Sequence, residues 1–217
     1  MRIFLVVLAS LLFLVAPREA QADYFVWQDS DSGMTVTFPD TWKILSNRKP
    51  DDTLVIAGNS LVDKPLCQIR VNEDRRFVIY PPELGSAIQK TAISSSFWDS
   101  YLSRYVDFNL SKVYDGAGLG RWFASYARGS FIRMNGTQEE IRTALMFASL
   151  YNDKVYVLEC STLTGSYNQW DLVFRSILKS IDFEKIYHEL PTGEYRDFLR
   201  GATKYFWAGG PEGTVGY

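Results

Sequence analysis

The feature that most constrains the fold of this 217-residue chain is the pair Asn135-Gly136, which lies between two long stretches of strand-forming residues. The stretches are RWFASYARGSFIRM before the pair and TQEEIRTALMFASLY after it. Asn-Gly favours a type I′ turn, whose two central residues take positive φ, so the pair predicts a tight antiparallel hairpin. A second reversal at Asn152-Asp153 and the run KVYVLEC predict a third strand, which completes a meander.

Neither long strand has a polar face. In the first strand, Trp122, Tyr126 and Ile132 alternate with Phe123 and Phe131. In the second strand, apolar residues also occupy both sets of alternate positions: Ile141, Leu145 and Phe147 in one set, and Ala144, Met146 and Leu150 in the other. A sheet that is apolar on both sides has to be covered on both sides.

Two segments have helical patterns that suit such covers. Residues 82–106 carry apolar side chains at helical spacings on either side of a Ser-rich stretch, and Pro82 suits a first turn, so we expect one broken helix or two short ones. Residues 166–181 form one apolar stripe, and Ser166 three residues before Gln169 predicts a capping box. The predicted fold class is α+β, an antiparallel sheet with helices on both faces in an α/β/α sandwich.

The region before the first helical segment predicts short strands. YFVWQDSDSGMTVTF reads as two strands joined by a turn at Asp29–Gly33, and DTLVIAG and PLCQIRVN predict two more. The second strand ends at Phe38-Pro39, because proline has no N–H to donate to a ladder. We expect Trp42 to fold back beneath the sheet as a buried aromatic side chain.

The first 22 residues predict a signal peptide. Arg2 precedes a nearly unbroken apolar run of fourteen residues (3–16), and Ala20 and Ala22 have the spacing that signal peptidase recognises. The apolar run is shorter than the roughly 20 residues that span a membrane. We therefore expect cleavage after Ala22 and a periplasmic or secreted protein.

Export permits a disulfide between the two cysteines, Cys67 and Cys160. Both lie in apolar, strand-like runs, and a free buried cysteine is also common in protein cores. The sequence alone leaves both alternatives open.

Several functional classes receive little support from the sequence. A net charge of −2, with no basic run longer than Arg75-Arg76, argues against nucleic-acid binding. His188 is the single histidine, so a nucleophile with a histidine base would have to be brought to His188, which we expect instead to be solvated in the linker before the C-terminal segment. One histidine and two cysteines far apart in sequence also lack the ligand spacing of a zinc site. We expect no catalytic residues, no cofactor and no metal.

Other short motifs have ordinary structural interpretations. Asp29–Gly33 lacks the positions of a calcium-binding EF-hand loop, and Gly116–Gly120 lacks the helix N-terminus that holds a phosphate. The pairs Asp51-Asp52 and Glu139-Glu140 are expected on solvated turns or strand ends.

The order of elements and two short motifs resemble a known superfamily. The motifs are FP..W (Phe38, Pro39 and Trp42) and the closing SI.F (Ser180, Ile181 and Phe183). They resemble the α/β/α sandwich superfamily of photosystem II PsbP and the Ran-binding Mog proteins, which includes bacterial DcrB-like proteins. The resemblance covers about residues 24–186, so we divide the chain into a signal peptide (1–22), a PsbP-like domain (23–186) and a C-terminal segment (187–217).

The C-terminal segment is rich in aromatic residues and predicts a helix that Gly209-Gly210-Pro211 ends. Exposed aromatic patches tend to mark interaction sites, and the candidate partner-binding residues are Tyr195, Phe198, Leu199, Tyr205, Phe206 and Trp207. The segment could instead dock on its own sheet. Contact with a membrane surface is less favoured, because Glu194 and Asp197 lie in it.

The resemblance implies an exported, non-catalytic module that binds a protein partner, and it supplies no catalytic residues to carry over. Two alternatives stay open at this point. One is an exported hydrolase with a carboxylate site, and the other is a carrier of a small apolar ligand or lipid.

Overall fold

The computed structural model describes residues 23–46, 49–75 and 84–185. Nine strands and three α-helices lie in these ranges. In chain order they are β1 (Tyr24–Gln28), β2 (Thr35–Pro39), β3 (Lys43–Ile44), β4 (Leu54–Ala57), β5 (Leu66–Glu73), α1 (Gly85–Ala92), α2 (Ser95–Leu102), β6 (Phe108–Leu119), β7 (Trp122–Asn135), β8 (Gln138–Tyr151), β9 (Lys154–Leu163) and α3 (Tyr167–Lys179).

Seven strands form one antiparallel sheet in the order β3-β4-β5-β9-β8-β7-β6. The predicted meander is confirmed as β7-β8-β9, and β6 extends it at one edge. Strands β1 and β2 form a separate hairpin around the predicted turn. The hairpin is tied to the chain after α3, where Thr35 bridges to Asp182 and the backbone N–H of Thr37 donates to Ser180 Oγ at 2.8 Å.

One face of the sheet is covered by α3 and the β1–β2 hairpin. Phe38 and Trp42 are both buried in this core, and Pro39 is the last residue of β2. The Trp42 ring meets those of Trp170 and Phe174 edge-on, with centroid distances of 6.0 and 6.4 Å. The FP..W motif therefore joins the end of β2 to the packing of α3.

The other face is covered by α1 and α2. Ile93, Trp98 and Leu102 pack over Phe131 and Met146 in a second hydrophobic core. The two short helices are one of the alternatives that the sequence predicted, and the break falls at Ile93-Ser94. With helices on both faces of an antiparallel sheet, the predicted α/β/α sandwich is confirmed.

The β7–β8 turn differs from the predicted one. Asn135 pairs with Gln138 in the ladder, so Gly136 and Thr137 are the central residues. Gly136 takes the positive φ, +63°. The prediction that Asn135 and Gly136 are the two central residues of a type I′ turn is wrong, because Asn135 remains part of the strand.

The prediction of a capping box at the start of α3 is also wrong. Ser166 precedes the helix, but its side chain makes no capping hydrogen bond, and its backbone (φ −105°, ψ 0°) is not in the extended conformation that usually accompanies capping. The Ser166 hydroxyl instead donates to Asp63 Oδ1 at 2.6 Å. Ser166 thus holds the β4–β5 loop rather than the helix end.

Cys67 and Cys160 form a disulfide. They lie directly opposite one another on the neighbouring strands β5 and β9, with their Cα atoms 4.0 Å apart. The structure thereby selects the bonded alternative. The expected signal peptide and the aromatic C-terminal helix lie outside the described residues, and none of the described helices is long and apolar enough to cross a membrane.

Candidate binding cleft

A stripe of buried polar side chains runs across the sheet on the face that α1 and α2 cover. Side chains alternate along a strand, so the residues that lie between those of the α3 core point to the face that α1 and α2 cover. On β5, Cys67 and Ile69 join the α3 core, while the residues between and after them turn the other way. The polar stripe consists of Gln68 and Arg70 on β5, Glu159 and Ser161 on β9, and Glu140 and Arg142 on β8.

One half of the stripe is enclosed by α2. The Arg70 guanidinium, 2% exposed, lies 2.7 Å from Asp52 and donates to Gln68 Oε1 at 2.9 Å. It also donates to the hydroxyl of Tyr101 on α2. We call this group, together with Tyr105 and Glu159, the enclosed network.

Glu159 is the acceptor at the centre of the enclosed network. The Tyr101 hydroxyl donates to Glu159 Oε2 at 2.9 Å, and the Tyr105 hydroxyl lies 2.8 and 2.7 Å from the two carboxylate oxygens. Burial, and then the negative charge of Glu159, raise the pKa of both tyrosines, so both remain protonated donors. The network fastens α2 to the sheet and leaves neither oxygen of Glu159 without a donor.

The expectation that the paired carboxylates are solvated is only half right. Asp51 and Glu139 are exposed, but Asp52 and Glu140 are buried. Asp52 pairs with Arg70 in the enclosed network, and Glu140 belongs to the polar stripe. Although exposed, Asp51 also lies near two cations, with its Oδ2 3.3 Å from Arg70 Nε and 3.1 Å from Arg104 Nη1.

The other half of the stripe reaches the end of the sheet. Buried Arg142 donates to the carbonyls of Lys64 at 2.6 Å and Ser161 at 3.0 Å. Its Nη1 donates to Glu140 Oε2 at 3.0 Å. The second oxygen of Glu140 accepts from Lys64 Nζ at 2.6 Å and from Asn135 Nδ2 at 3.0 Å. These bonds join the β4–β5 loop (residues 58–65) to the β7–β8 hairpin.

A cleft of about 350 Å³ opens where the loop and the hairpin meet. We call it the basic cleft. The lining residues that matter for its chemistry are Gly58, Leu61, Lys64, Pro65, Arg133, Met134, Glu140 and Arg142. The described part of the chain contributes three cationic side chains and one carboxylate to it, which gives it a positive excess.

Burial, hydrogen bonds and neighbouring charges shift the pKa values of two groups in the cleft. Burial first, and then the nearby charge of Arg133, lower the pKa of Arg142. Burial would raise the pKa of Glu140, but hydrogen bonds from Lys64 and Asn135 outweigh it and lower that pKa. Arg133 is half-buried and makes no hydrogen bond or ion pair with another described residue. It is the donor that the cleft leaves unused.

The loop wall of the cleft is held in place from behind. The Asp63 carboxylate accepts from Ser60 Oγ at 3.0 Å, from Ser166 Oγ at 2.6 Å and from Trp170 Nε1 at 3.2 Å. The hydrogen bond from Ser166 is the first cause that lowers the Asp63 pKa. A loop tied to α3 at several points forms the cleft wall before any ligand arrives.

Gly58 forms the part of the cleft nearest the core. A Cβ atom there would lie 2.7 Å from Pro65 Cγ and 3.1 Å from Trp42 Cε2. Only glycine lets the backbone approach the buried indole so closely. At the outer rim, the Leu61 side chain is 94% exposed and Met134 is also exposed.

The sequence-predicted sites fall elsewhere. The candidate partner-binding residues Tyr195, Phe198, Leu199, Tyr205, Phe206 and Trp207 lie outside the described residues, as does His188. Within the ranges that the structure covers, no group of three or more His, Cys, Asp or Glu side chains could hold a metal ion. The basic cleft was not identified from sequence, although charged residues within central strands were a usable signal.

Comparison with known proteins identifies the fold. No family model and no curated protein matches the chain. Among solved structures, the cyanobacterial PsbP of Synechocystis matches with a TM-score of 0.53 and 13% identity, covering 78% of this chain and 99% of that one. The described domain therefore has the PsbP-like fold that the FP..W and SI.F motifs implied.

Two further structures are similar at lower scores. LpqN of Mycobacterium tuberculosis, a protein involved in cell envelope biogenesis, has a TM-score of 0.46 and 15% identity over 76% of this chain and 92% of its own. The Ran-binding protein Mog1p of Saccharomyces cerevisiae also scores 0.46, with 7% identity over 75% of this chain and 96% of its own.

Proposed function

We propose that the protein is an exported, non-catalytic binding module of the PsbP-like type, and that it docks a protein partner at the basic cleft and its rim. The observation that carries the proposal is the combination of exposed Leu61 with an unused guanidinium, Arg133, around a preformed concavity. Apolar groups around a small number of convergent polar groups are typical of binding sites.

Export is proposed from two independent features. The first 22 residues have the pattern of a signal peptide. The Cys67–Cys160 disulfide is of a kind that persists in oxidising compartments. The N-terminal sequence of the mature protein should begin at Asp23, and retention of residues 1–22 in the mature protein would contradict export by cleavage.

A lack of catalysis is proposed from how the buried carboxylates are used. Glu159 accepts from two tyrosines, and Asp52 lies against Arg70. Glu140 accepts from Lys64, Asn135 and Arg142. A general base needs an oxygen that is free to take a proton from substrate, so these carboxylates favour a structural role over the hydrolase alternative.

The site of docking can be tested by photo-crosslinking in the cells that make the protein. A photoreactive residue at Leu61, on the cleft rim, should capture one partner that mass spectrometry identifies. The matched control is Leu172, a similarly exposed leucine on α3. Capture at Leu61 and not at Leu172 supports the proposal, whereas equal capture at both positions, or none at Leu61, contradicts it.

The same crosslinking experiment also tests whether the C-terminal segment contributes to the contact surface. A chain that ends at residue 189 lacks Tyr195, Phe198 and Trp207 as well as the other aromatic candidates of the tail. Loss of the Leu61 crosslink in that chain would add the tail to the contact surface. An unchanged crosslink would confine the surface to the folded domain.

A further inference from the structure

We infer that the basic cleft recognises a carboxylate carried on an apolar peptide segment, with Arg133 as its principal contact. The inference rests on the proposed function and names the chemistry of the partner. Such recognition needs a hydrogen-bond donor in the cleft that no side chain of the protein already uses. It also needs an apolar lining that suits the residues on either side of the bound carboxylate.

Arg133 is the unused donor. It stands directly opposite Glu140 in the β7–β8 ladder, where a salt bridge between the two side chains would be expected. Glu140 instead accepts from Lys64, Asn135 and Arg142, and Arg133 donates to none of the described residues. A guanidinium presents a planar pair of N–H groups that matches a carboxylate.

The charged side chains that line the cleft favour the binding of an anion. Arg133 and Lys64 both line the cleft, and Glu140 is the single carboxylate among the described residues that line it. The nearby charge of Arg133 already acts against the buried charge of Arg142. A bound carboxylate would relieve that repulsion without displacing any hydrogen bond of Glu140, because Arg133 makes none with it.

The apolar residues that line the cleft indicate what the remainder of the ligand should be. The side chains of Pro65, Leu61 and Met134 line the cleft beside the charged groups. A volume of about 350 Å³ is near the lower end of ligand sites, which suits one or two side chains rather than a large cofactor. An acidic residue with apolar neighbours satisfies both the guanidinium and the walls, and a protein partner supplies such segments.

The test is an NMR titration of the full mature protein with two blocked peptides that differ in one charge. The sequences are SLELS and SLQLS, each acetylated and amidated. We expect SLELS to shift the backbone amides of Lys64, Arg133 and Asn135, and to bind at least about tenfold more tightly than SLQLS. Equal affinities, or no shift in the cleft at about 5 mM SLELS, would overturn the inference.

Variants identify the contact. Arg133→Gln should weaken SLELS about tenfold and remove its advantage over SLQLS, while Arg133→Lys should recover part of the loss. Lys112→Gln, an exposed cation on β6, is the matched control and should leave both affinities unchanged. An unchanged SLELS affinity in Arg133→Gln, or an equal loss in Lys112→Gln, would contradict the assignment.

Two further probes separate the sources of an anion. Octanoate carries a carboxylate on an alkyl chain, and inorganic phosphate carries charge without apolar neighbours. Tighter binding of either probe than of SLELS would overturn a peptide ligand. Failure here is distinguishable from failure of the proposed function, because a partner crosslinked at Leu61 would still establish docking without preference for a carboxylate.

Discussion

The enclosed network and the basic cleft lie on the same face of the same sheet, and both place arginines beside carboxylates. Arg70 lies against Asp52, just before β4, and donates to Gln68 on β5 and to Tyr101 on α2. In the cleft, Arg142 and Glu140 are equally well satisfied, but Arg133 is left over. Buried charge alone therefore does not distinguish the two regions, whereas the unused donor at an opening is what led us to propose a binding site in the cleft.

The difference also predicts which substitutions lower the free energy of unfolding most. Removing one partner of a buried ion pair leaves an uncompensated charge, and that costs far more than removing a charge that faces water. Variants in the enclosed network should therefore lower stability. Variants at Arg133 should change binding instead.

The largest expected loss comes from the disulfide, which lies on the opposite face and links β5 to β9, the strands that carry Arg70 and Glu159. Replacing Cys67 and Cys160 by alanine opens a link between residues 93 apart in sequence. The chain-entropy model gives a loss of about 4 to 5 kcal/mol in the free energy of unfolding. Urea unfolding measures the loss, and the SLELS shifts should persist in the protein that remains folded. Loss of peptide binding with no loss of stability would contradict this view of the disulfide.

The next largest effect tests the enclosed network itself. Glu159→Ala leaves the hydroxyls of Tyr101 and Tyr105 without their acceptor and removes a negative charge near Arg70. We expect a loss of about 3 to 5 kcal/mol in urea unfolding. Glu139→Ala, on the exposed side of β8, is the matched control and should stay within about 0.5 kcal/mol of wild type. A loss below about 1 kcal/mol for Glu159→Ala would show that the network contributes little.

A smaller, pH-dependent effect belongs to Glu140 at the base of the cleft. Glu140→Gln weakens the bonds from Lys64 and Arg142 and should cost about 1 to 3 kcal/mol at pH 7. The folded pKa of Glu140 lies below its ordinary value of 4.5. Its stabilisation is therefore present above that pH and is lost as the pH falls through the depressed pKa.

The check on Glu140 is urea unfolding of wild type and Glu140→Gln at pH 7 and pH 3. The difference between the two proteins should shrink at the lower pH. A difference that stays constant between the two pH values would show that the ionised carboxylate is not the source of the stability.

Periodicity was sufficient to predict the layers of the fold. Alternation predicted β7, β8 and β9, and the apolar stripe of residues 170–181 predicted α3. Two strands were not assigned. β3 has only two residues, and β6 is an edge strand with many exposed side chains, so its pattern is weaker. The cap prediction failed because the Ser166 hydroxyl donates to Asp63, a residue distant in sequence. The turn prediction failed because Asn135 stays paired with Gln138 in the ladder.

The disulfide and the cleft depend on which strands are neighbours. Cys67 faces Cys160 only because β5 lies beside β9, and no local pattern gives that order. The cleft forms where a loop near residue 60 meets a hairpin near residue 135. The polar stripe that ends at the cleft nevertheless left a visible signal, since Arg70, Glu159 and Arg142 lie within strands rich in apolar residues, where charges need partners.

The most direct test of the account compares one substitution at two arginines on the same face of the sheet. Arg70→Gln and Arg133→Gln each remove one guanidinium, and urea unfolding at pH 7 gives both free energies. We expect Arg70→Gln to lose about 3 to 5 kcal/mol and Arg133→Gln to stay within about 0.5 kcal/mol of wild type. Equal losses, or a larger loss for Arg133→Gln, would contradict the division of this face into an enclosed structural network and an open binding cleft.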